Sequence, residues 1–384
     1  MMKLTGFALA AALGAALCPG TPVPATAADE PALASFQINT DGAMGSSPDP
    51  DLDALASVIE ADVQQVSYTA SDIYVETTGV PRYPTGAFPD GNPAYASDLD
   101  AIYAIPRNPE PSNATEDTPL GAIGLFVNGV AIFNPEDGRT YNNQNVWHQN
   151  AIVVEADGFD DCKGHPAPLM VMGGGPPPGS DPVEGIYHHH LDPVCLLAQL
   201  SDDGGGHSPI LGWSWDGYPV YGPWGYADPE DPTSAIVRIE SGYRERAITT
   251  RTILPDGTGL TPPFYGPAVS STYPLGYYLE DFEFIEGLGH LDEHNGRFTV
   301  TPGYPEGMYV YYVTIDDENE AAYPYCMGQQ YYGAPDGGAV MSIPGDAVVY
   351  VPEVASVPMG LAAQLTLGAV LALTGLRSQR RRAA

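Results

Sequence analysis

Apolar and polar residues alternate in short runs along much of the chain, a period of two that is typical of β-strands with one buried face. Residues 56–75 show this alternation and predict a pair of edge strands. Residues 28–55 lack any such period, so we predict a linker there. Residues 81–111 are rich in Pro, Asn and Asp and predict a long surface loop.

From residue 122 onward the hydrophobic pattern repeats itself. Residues 122–135 align without a gap with residues 210–223, 88 positions further along. Each segment consists of a short apolar run, an Asn-Gly or Asp-Gly pair and a second apolar run, which predicts a β-hairpin. Two further pairs of segments follow in the same order, 159–165 with 291–297 and 184–190 with 306–312.

This repeat predicts the fold class. We expect an all-β domain over residues 56–345, a pseudo-symmetric sandwich or barrel made of two tandem β units at about 122–192 and 210–316. Long loops rich in Gly and Pro, such as residues 173–178, would be inserted between the strands.

The two ends of the chain carry targeting signals. Lys3, an apolar run at residues 7–17 and the small residues Ala25-Thr26-Ala27 predict a secretory signal peptide over residues 1–27. At the other end, residues 359–376 predict one apolar helix, and four arginines follow it. We therefore expect export to the cell surface or the medium.

Residues 351–384 predict either a sorting tail or a permanent membrane anchor. Val-Pro dipeptides precede the apolar helix, and this arrangement resembles the proline-motif (PEP-CTERM) sorting tails of bacteria, although the Pro-Glu-Pro form is absent. The membrane is thus an expected partner of residues 359–376, and the sorting tail is favoured over a plain anchor.

Composition fits an exported, turn-rich β protein, with 44 Gly, 39 Pro and 24 Tyr in 384 residues. All 48 acidic residues lie between Asp29 and Glu353, against only 9 of the 14 Lys and Arg residues, which gives this span a formal charge of −39. Such a surface repels nucleic acid and attracts cations. No nucleic-acid partner is expected.

Histidines distinguish the first repeat from the second. Because strand side chains alternate between faces, His188 and His190 should lie on one face and His189 on the other. Three histidines of the first repeat are candidate metal ligands, and the second repeat carries other residues at the corresponding positions. These are Arg297 for His165, Val310 for His188 and Tyr312 for His190. The fold therefore does not need these imidazoles for packing.

We predict a metal site formed by His165, His188 and His190, with His207 as a fourth ligand. Imidazole ligands in an oxidising compartment suit copper or zinc, with copper favoured. Three candidate residues could support the ligands from behind: Asp160, Asp192 and Tyr187.

Cys162 and Cys195 could form a disulfide or act as thiolate ligands, and export favours the disulfide. With Cys326, at most one internal disulfide can form, leaving one thiol. His294, which aligns with Cys162, is either a second-repeat contribution to the site or a turn residue, and we favour the turn.

Several motifs, in order, resemble the YHYH domain. They are Asp160-x-Cys162-x-Gly164-His165-Pro166, Tyr187-His188-His189-His190-x-x-Pro193-x-Cys195, His207-Ser208-Pro209 with Gly212-x-x-x-Asp216-Gly217, and the second-repeat segments 291–298 and 301–307. The similarity covers about residues 60–335, and His189 stands where the family has its second Tyr. The resemblance implies an exported or surface-associated bacterial protein.

Two other function classes remain open. The same histidines could run acid–base chemistry as in a hydrolase, but no nucleophile motif accompanies them, so an enzyme is not favoured. A non-enzymatic surface module could bind a protein or glycan through its tryptophans and tyrosines, or calcium through acidic clusters. The residues concerned are Trp147, Trp213, Trp215 and Trp224, and the clusters 228–231 and 316–318.

Overall fold

The computed structural model describes residues 30–90, 94–169 and 183–352. The predicted signal peptide, the Gly/Pro loop at 173–178 and the predicted apolar helix at 359–376 lie outside these residues. Within them, no helix is both long and apolar enough to span a bilayer.

The described chain is mostly β-strand. The strands are β1 (Val63–Tyr68), β2 (Asp72–Thr77), β3 (Ala94–Ala96), β4 (Ala101–Pro106), β5 (Pro111–Asp117), β6 (Ala122–Phe126), β7 (Ala131–Phe133), β8 (Glu136–Thr140), β9 (His148–Asn150), β10 (His165–Pro168), β11 (Val183–His189), β12 (Ile210–Ser214), β13 (Pro219–Tyr221), β14 (Trp224–Tyr226), β15 (Ile236–Arg238), β16 (Tyr243–Glu245), β17 (Phe282–Phe284), β18 (Gly296–Thr299), β19 (Met308–Tyr312), β20 (Gln330–Gly333), β21 (Gly338–Val340) and β22 (Val348–Val349). The helices are α1 (Pro31–Ala34), α2 (Pro50–Ala56), α3 (Ala151–Val154) and α4 (Val194–Gln199), with 3-10 turns at Tyr141–Asn143, Ala156–Gly158 and Leu279–Asp281.

A nine-stranded sheet forms the centre of the molecule. Its order is β10-β11-β7-β6-β12-β13-β19-β18, and β3 adds to β11. The predicted hairpins are present as β6–β7 and β12–β13, turning at Gly129 and Gly217, both at positive φ. The sheets of the described chain are open, so the barrel alternative is wrong.

The strand order is symmetric about the β6–β12 pair at the centre of this sheet. The strands β10, β11, β7 and β6 of the first repeat correspond to β18, β19, β13 and β12 of the second. The registers correspond as well. His165 lies opposite His188 in the first repeat, and Arg297 lies opposite Val310 in the second. Both edge hairpins are joined to the rest of the sheet by parallel pairing, β11 with β7 and β19 with β13.

A five-stranded sheet, in the order β21-β4-β2-β1-β22, corrects two predictions. We predicted that residues 56–75 form edge strands, but β1 and β2 are interior strands with neighbours on both sides. We predicted a surface loop at 81–111, yet β4 lies there and buries Ile105 completely. The Pro-rich flanks concealed a short apolar strand.

The predicted linker at residues 28–55 is packed against the domain over its described part. It carries α1 and most of α2, and Leu33 and Phe36 belong to the main hydrophobic core. The Nε1 of Trp213 donates a hydrogen bond to Ser35 Oγ at 3.0 Å. The buried side chains of Leu33 and Phe36 are isolated in the sequence and therefore produce no periodic signal. The main core contains residues of both large sheets, including Val66, Ile73, Leu125 and Trp213.

Candidate metal centre

A hydrogen-bonded turn holds the start of β10 in place. The carboxylate of Asp160 accepts hydrogen bonds from the backbone N–H groups of Cys162 and Gly164 and from the hydroxyl of Tyr187. A Cβ atom at Gly164 would lie 2.3 Å from the Tyr187 hydroxyl oxygen, so only glycine fits there. This turn fixes the position from which His165 enters the sheet.

A disulfide between Cys162 and Cys195 joins the same turn to α4. The predicted pairing is thus present, and the alternative in which these cysteines supply thiolate ligands is wrong. Cys326 is a free, buried thiol.

Three of the predicted ligands converge. His165, His188 and His190 are all at least nine-tenths buried, and each offers a ring nitrogen within 4.8 Å of those of the other two. His188 Nε2 and His190 Nε2 are 3.0 Å apart. This is the one group of three or more potential ligand residues found in residues 30–90, 94–169 and 183–352.

Backbone carbonyls fix the tautomers of two of these rings. His188 Nδ1 lies 2.9 Å from Ile186 O, and His190 Nδ1 lies 2.6 Å from Asn134 O. A carbonyl oxygen only accepts hydrogen bonds, so each Nδ1 carries the proton. In the neutral rings both Nε2 atoms therefore present bare lone pairs to each other at 3.0 Å. That contact requires a cation between or beside them, either a proton or a metal ion.

Glu155, which sequence reasoning missed, supplies a fourth donor. Its Oε2 lies 3.2 Å from His165 Nε2 and 3.3 Å from His190 Nε2. Oε2 and His165 Nε2 are both buried and form no hydrogen bond with any described residue. Donors about 2.0–2.1 Å from a tetrahedral zinc ion would be about 3.3 Å from one another. Three of the separations in this group, 3.0, 3.2 and 3.3 Å, are close to that value.

Burial and charge act in opposite directions in this cluster. Burial lowers the pKa of His188 well below its ordinary value, and the neighbouring His190 and His165 lower it further, so this ring is neutral. For Glu155 burial opposes ionisation, but the contacts with His165 and His190 outweigh it and lower the pKa to about 2. His188 therefore offers a neutral imidazole and Glu155 an ionised carboxylate, which are the forms that metals bind.

Aromatic rings pack closely around the imidazoles. Phe133 stacks on His188 with the ring centroids 3.8 Å apart, and Phe159 meets His165 edge-on at 4.8 Å. These contacts restrict the rotation of the rings. The lone pairs are consequently oriented before any ion binds.

The three residues predicted to support the ligands form hydrogen bonds with other groups instead. Asp160 and Tyr187 hydrogen-bond each other within the turn, and neither contacts a histidine of the cluster through a hydrogen bond in the described chain. Asp192 accepts from Lys163 Nζ at 3.3 Å, and burial raises its pKa to about 6. The true supports are backbone carbonyls, which carry no side-chain signature in the sequence.

His207 does not join the cluster, so its assignment as a fourth ligand is wrong. Its ring packs against Tyr221, Tyr226 and Tyr312, and its Nε2 lies 3.3 Å from the Tyr312 hydroxyl. After His190 the chain passes through α4 to the other half of the sheet. Proximity in sequence was therefore misleading.

His189 lies on the opposite face of β11, as predicted. Its Nε2 lies 2.8 Å from the Tyr83 hydroxyl, and its Nδ1 lies 2.9 Å from Lys163 O. Burial lowers its pKa to about 3, so this residue is a neutral core histidine. His294 Nδ1 bonds to Gln330 O, and its backbone N–H donates to Asp292, which places it in a turn.

Most of the features that suggested a surface module are built into the fold, whereas Trp224 is only half-buried. Trp147, Trp213 and Trp215 are buried, and each indole N–H has a partner within the protein. In the two acidic clusters, Asp228 and Asp316 accept hydrogen bonds from backbone N–H groups of their own turns.

The mostly β fold and the histidine motifs define a recognised class of protein. The chain belongs to the YHYH protein family, whose model matches residues 102–327, more than half of its length. No protein with curated annotation and no solved structure matches the chain.

Proposed function

We propose that this YHYH protein binds one transition-metal ion through His165, His188 and His190, with Glu155 as the fourth donor. The observation that carries the proposal is the pair of Nε2 atoms 3.0 Å apart whose Nδ1 atoms are both committed to carbonyl oxygens. An ion accepts both lone pairs and also gives partners to Glu155 Oε2 and His165 Nε2.

Copper or zinc suits this donor set, with copper(II) favoured by its higher intrinsic affinity for nitrogen ligands. Three imidazoles and one carboxylate are ordinary zinc ligands as well. Since Cys162 and Cys195 are joined in a disulfide, no thiolate from them selects for copper(I). Calcium, which prefers an all-oxygen shell, does not suit the centre.

We further propose that the protein is exported and held at or released from the cell surface. The signal-like residues 1–27, the tail 351–384 with its PEP-CTERM-like arrangement, and the acidic body support this. A disulfide in the described fold is in keeping with an oxidising compartment.

For the architecture, we propose a β-sandwich in which the two halves of the nine-stranded sheet form a pseudo-twofold pair. Support comes from the matching strand order and registers of the halves, and from a main hydrophobic core that draws on both large sheets. On this view the second half is a version of the site without metal ligands.

The test is the metal content of the full chain purified without chelator, beside a His188→Ala/His190→Ala variant. A His207→Ala/His294→Ala variant, which removes two histidines outside the cluster, is the matched control. We expect about one copper or zinc per chain in the protein and the control, and less than a tenth of that in the cluster variant.

If the protein folds normally but refuses added copper and zinc, the proposal is wrong. His188 and His190 would then share a proton, and the cluster would serve acid–base chemistry or the structure alone.

A further inference from the structure

The four donors do not lie in a sealed pocket. His165, His188, His190 and Glu155 form part of the wall of a cavity of about 350 Å³. Two buried atoms with no hydrogen-bond partner in the described chain, His165 Nε2 and Glu155 Oε2, belong to this wall. An ion bound by these four donors would border the cavity, so a further ligand could reach it from that side.

The remaining wall of this cavity is acidic. Asp90, Glu136 and Asp137 line it in addition to Glu155, and none of its lining residues is a lysine or arginine. Arg139 interacts electrostatically with Asp137, but its side chain is exposed and does not line the cavity.

This charge distribution excludes anions. A divalent ion beside the Glu155 carboxylate leaves a single positive charge, and three further carboxyl groups line the same space. Burial raises the pKa of Glu136 and Asp137, and His148 Nε2 lies 4.0 Å from Glu136 Oε1, so the wall carries less than its full formal charge. At a pH above these raised pKa values the cavity wall remains negative with the ion in place, and low-dielectric walls strengthen this field. A phosphate or carboxylate ligand would be repelled, whereas a ligand with a positive charge would be attracted.

We propose that the metal ion, held by its four protein donors, accepts a fifth ligand from this cavity, and that this ligand is a small aliphatic diamine. One nitrogen, after releasing its proton to solvent, would donate its lone pair to the ion. The second nitrogen would stay protonated beside Glu136 and Asp137, and the methylene groups would pack on Leu120 and Phe133, which also line the cavity. This inference rests on the proposed metal binding.

The experiment uses the full chain loaded with one equivalent of copper(II), and metal content is measured before any ligand is added. The copper absorption band and electron paramagnetic resonance spectrum are then followed during titration with 1,4-diaminobutane, imidazole and azide at constant ionic strength. We expect diaminobutane to shift both spectra at concentrations at least about tenfold below those needed for azide.

A Glu136→Gln/Asp137→Asn variant tests the role of the wall, and Glu286→Gln/Glu318→Gln, which removes two exposed carboxylates elsewhere, is its control. The first variant should retain its copper and reduce the preference for diaminobutane over azide about tenfold, while the control keeps the preference.

Two results would overturn the inference while leaving metal binding intact. Azide could bind as tightly as diaminobutane, or no probe could alter the spectra of the copper-loaded chain. A chain that fails to take up copper or zinc at all refutes the proposed function, and this inference with it.

Discussion

The two halves of the nine-stranded sheet share a scaffold but differ in what their corresponding positions carry. In each half an aspartate, Asp160 or Asp292, accepts hydrogen bonds from two backbone N–H groups and a tyrosine hydroxyl. In the second half, however, Arg297 occupies the position of His165, and its guanidinium carbon lies 5.4 Å above the ring of Tyr312.

This difference separates what the fold requires from what the centre requires. The first half brings together three imidazoles that could bind a cation. At the corresponding place the second half has the guanidinium of Arg297, which lies over the ring of Tyr312. Turn, register and glycine are common to both halves, so they serve folding. The histidines are specific to one half, so the needs of the shared fold do not account for them.

The largest effect should come from the disulfide, which joins the first-half turn to α4. The second-half turn has no such bond, because His294 stands at the position that corresponds to Cys162. The two cysteines of the disulfide are 33 residues apart, and the closure of such a loop stabilises a fold by about 3–4 kcal/mol. Urea unfolding of a Cys162→Ser/Cys195→Ser variant should show this loss. A loss of less than about 1 kcal/mol in the free energy of unfolding would contradict the idea that the disulfide is a major source of stability in the first half.

Next in size are parallel substitutions in the two turns. Asp160 is more buried than Asp292 and also accepts a hydrogen bond from Gly86 N–H. We expect Asp160→Asn to lower the free energy of unfolding by about 3 kcal/mol and Asp292→Asn by about 2 kcal/mol, because buried donors lose their acceptors. Equal losses in denaturant titrations would contradict the idea that the first turn is the more constrained.

A Glu155→Gln substitution should weaken metal binding by about 10–100-fold. It should also destabilise the metal-free chain near pH 7, because the contacts with His165 and His190 that lower the pKa of Glu155 to about 2 are lost with the charge. Competition with a chromophoric chelator measures the affinity, and the exposed Glu286→Gln variant serves as a control. Unchanged affinity would show that the three imidazoles act without the carboxylate.

The smallest effect concerns a contact between segments of the two sequence repeats that lie outside the nine-stranded sheet. His148 Nδ1 lies 2.5 Å from Glu280 Oε1, and this hydrogen bond raises the pKa of His148 above its ordinary value. Its contribution is therefore complete below the unfolded-state pKa of about 6.5 and is lost as the pH rises through the folded-state pKa.

His148→Gln should then cost up to about 1 kcal/mol near pH 5.5 and almost nothing near pH 9. Chemical unfolding at both pH values measures this cost, and a Glu280→Gln background should abolish the pH dependence. A cost that does not vary with pH would show that the contact is structural rather than ionic.

Local sequence patterns predicted the parts of the site that strand geometry governs. The alternation of His188, His189 and His190 and the two hairpins are consequences of short-range rules. The pairing of Cys162 with Cys195 was predicted instead from export to an oxidising compartment. The comparison of repeats identified His165 correctly as different in kind from its counterpart.

Tertiary placement governs the parts that were missed. Glu155 follows α3 with no motif around it, and backbone carbonyls orient the rings of the cluster without leaving any mark in the sequence. His207 was wrongly included because sequence distance does not show that α4 carries the chain to the other half. Leu33 was missed because a single buried residue has no period.

The interior position of β11 has a kinetic consequence. This strand is hydrogen-bonded to β10 on one side and to β7 and β3 on the other, so the backbone carrying His188 cannot open without breaking several ladders. Amide protons here should exchange with solvent only through global unfolding. The residence time of a bound ion should accordingly depend on side-chain motion at the cavity and stay constant in denaturant well below the unfolding transition.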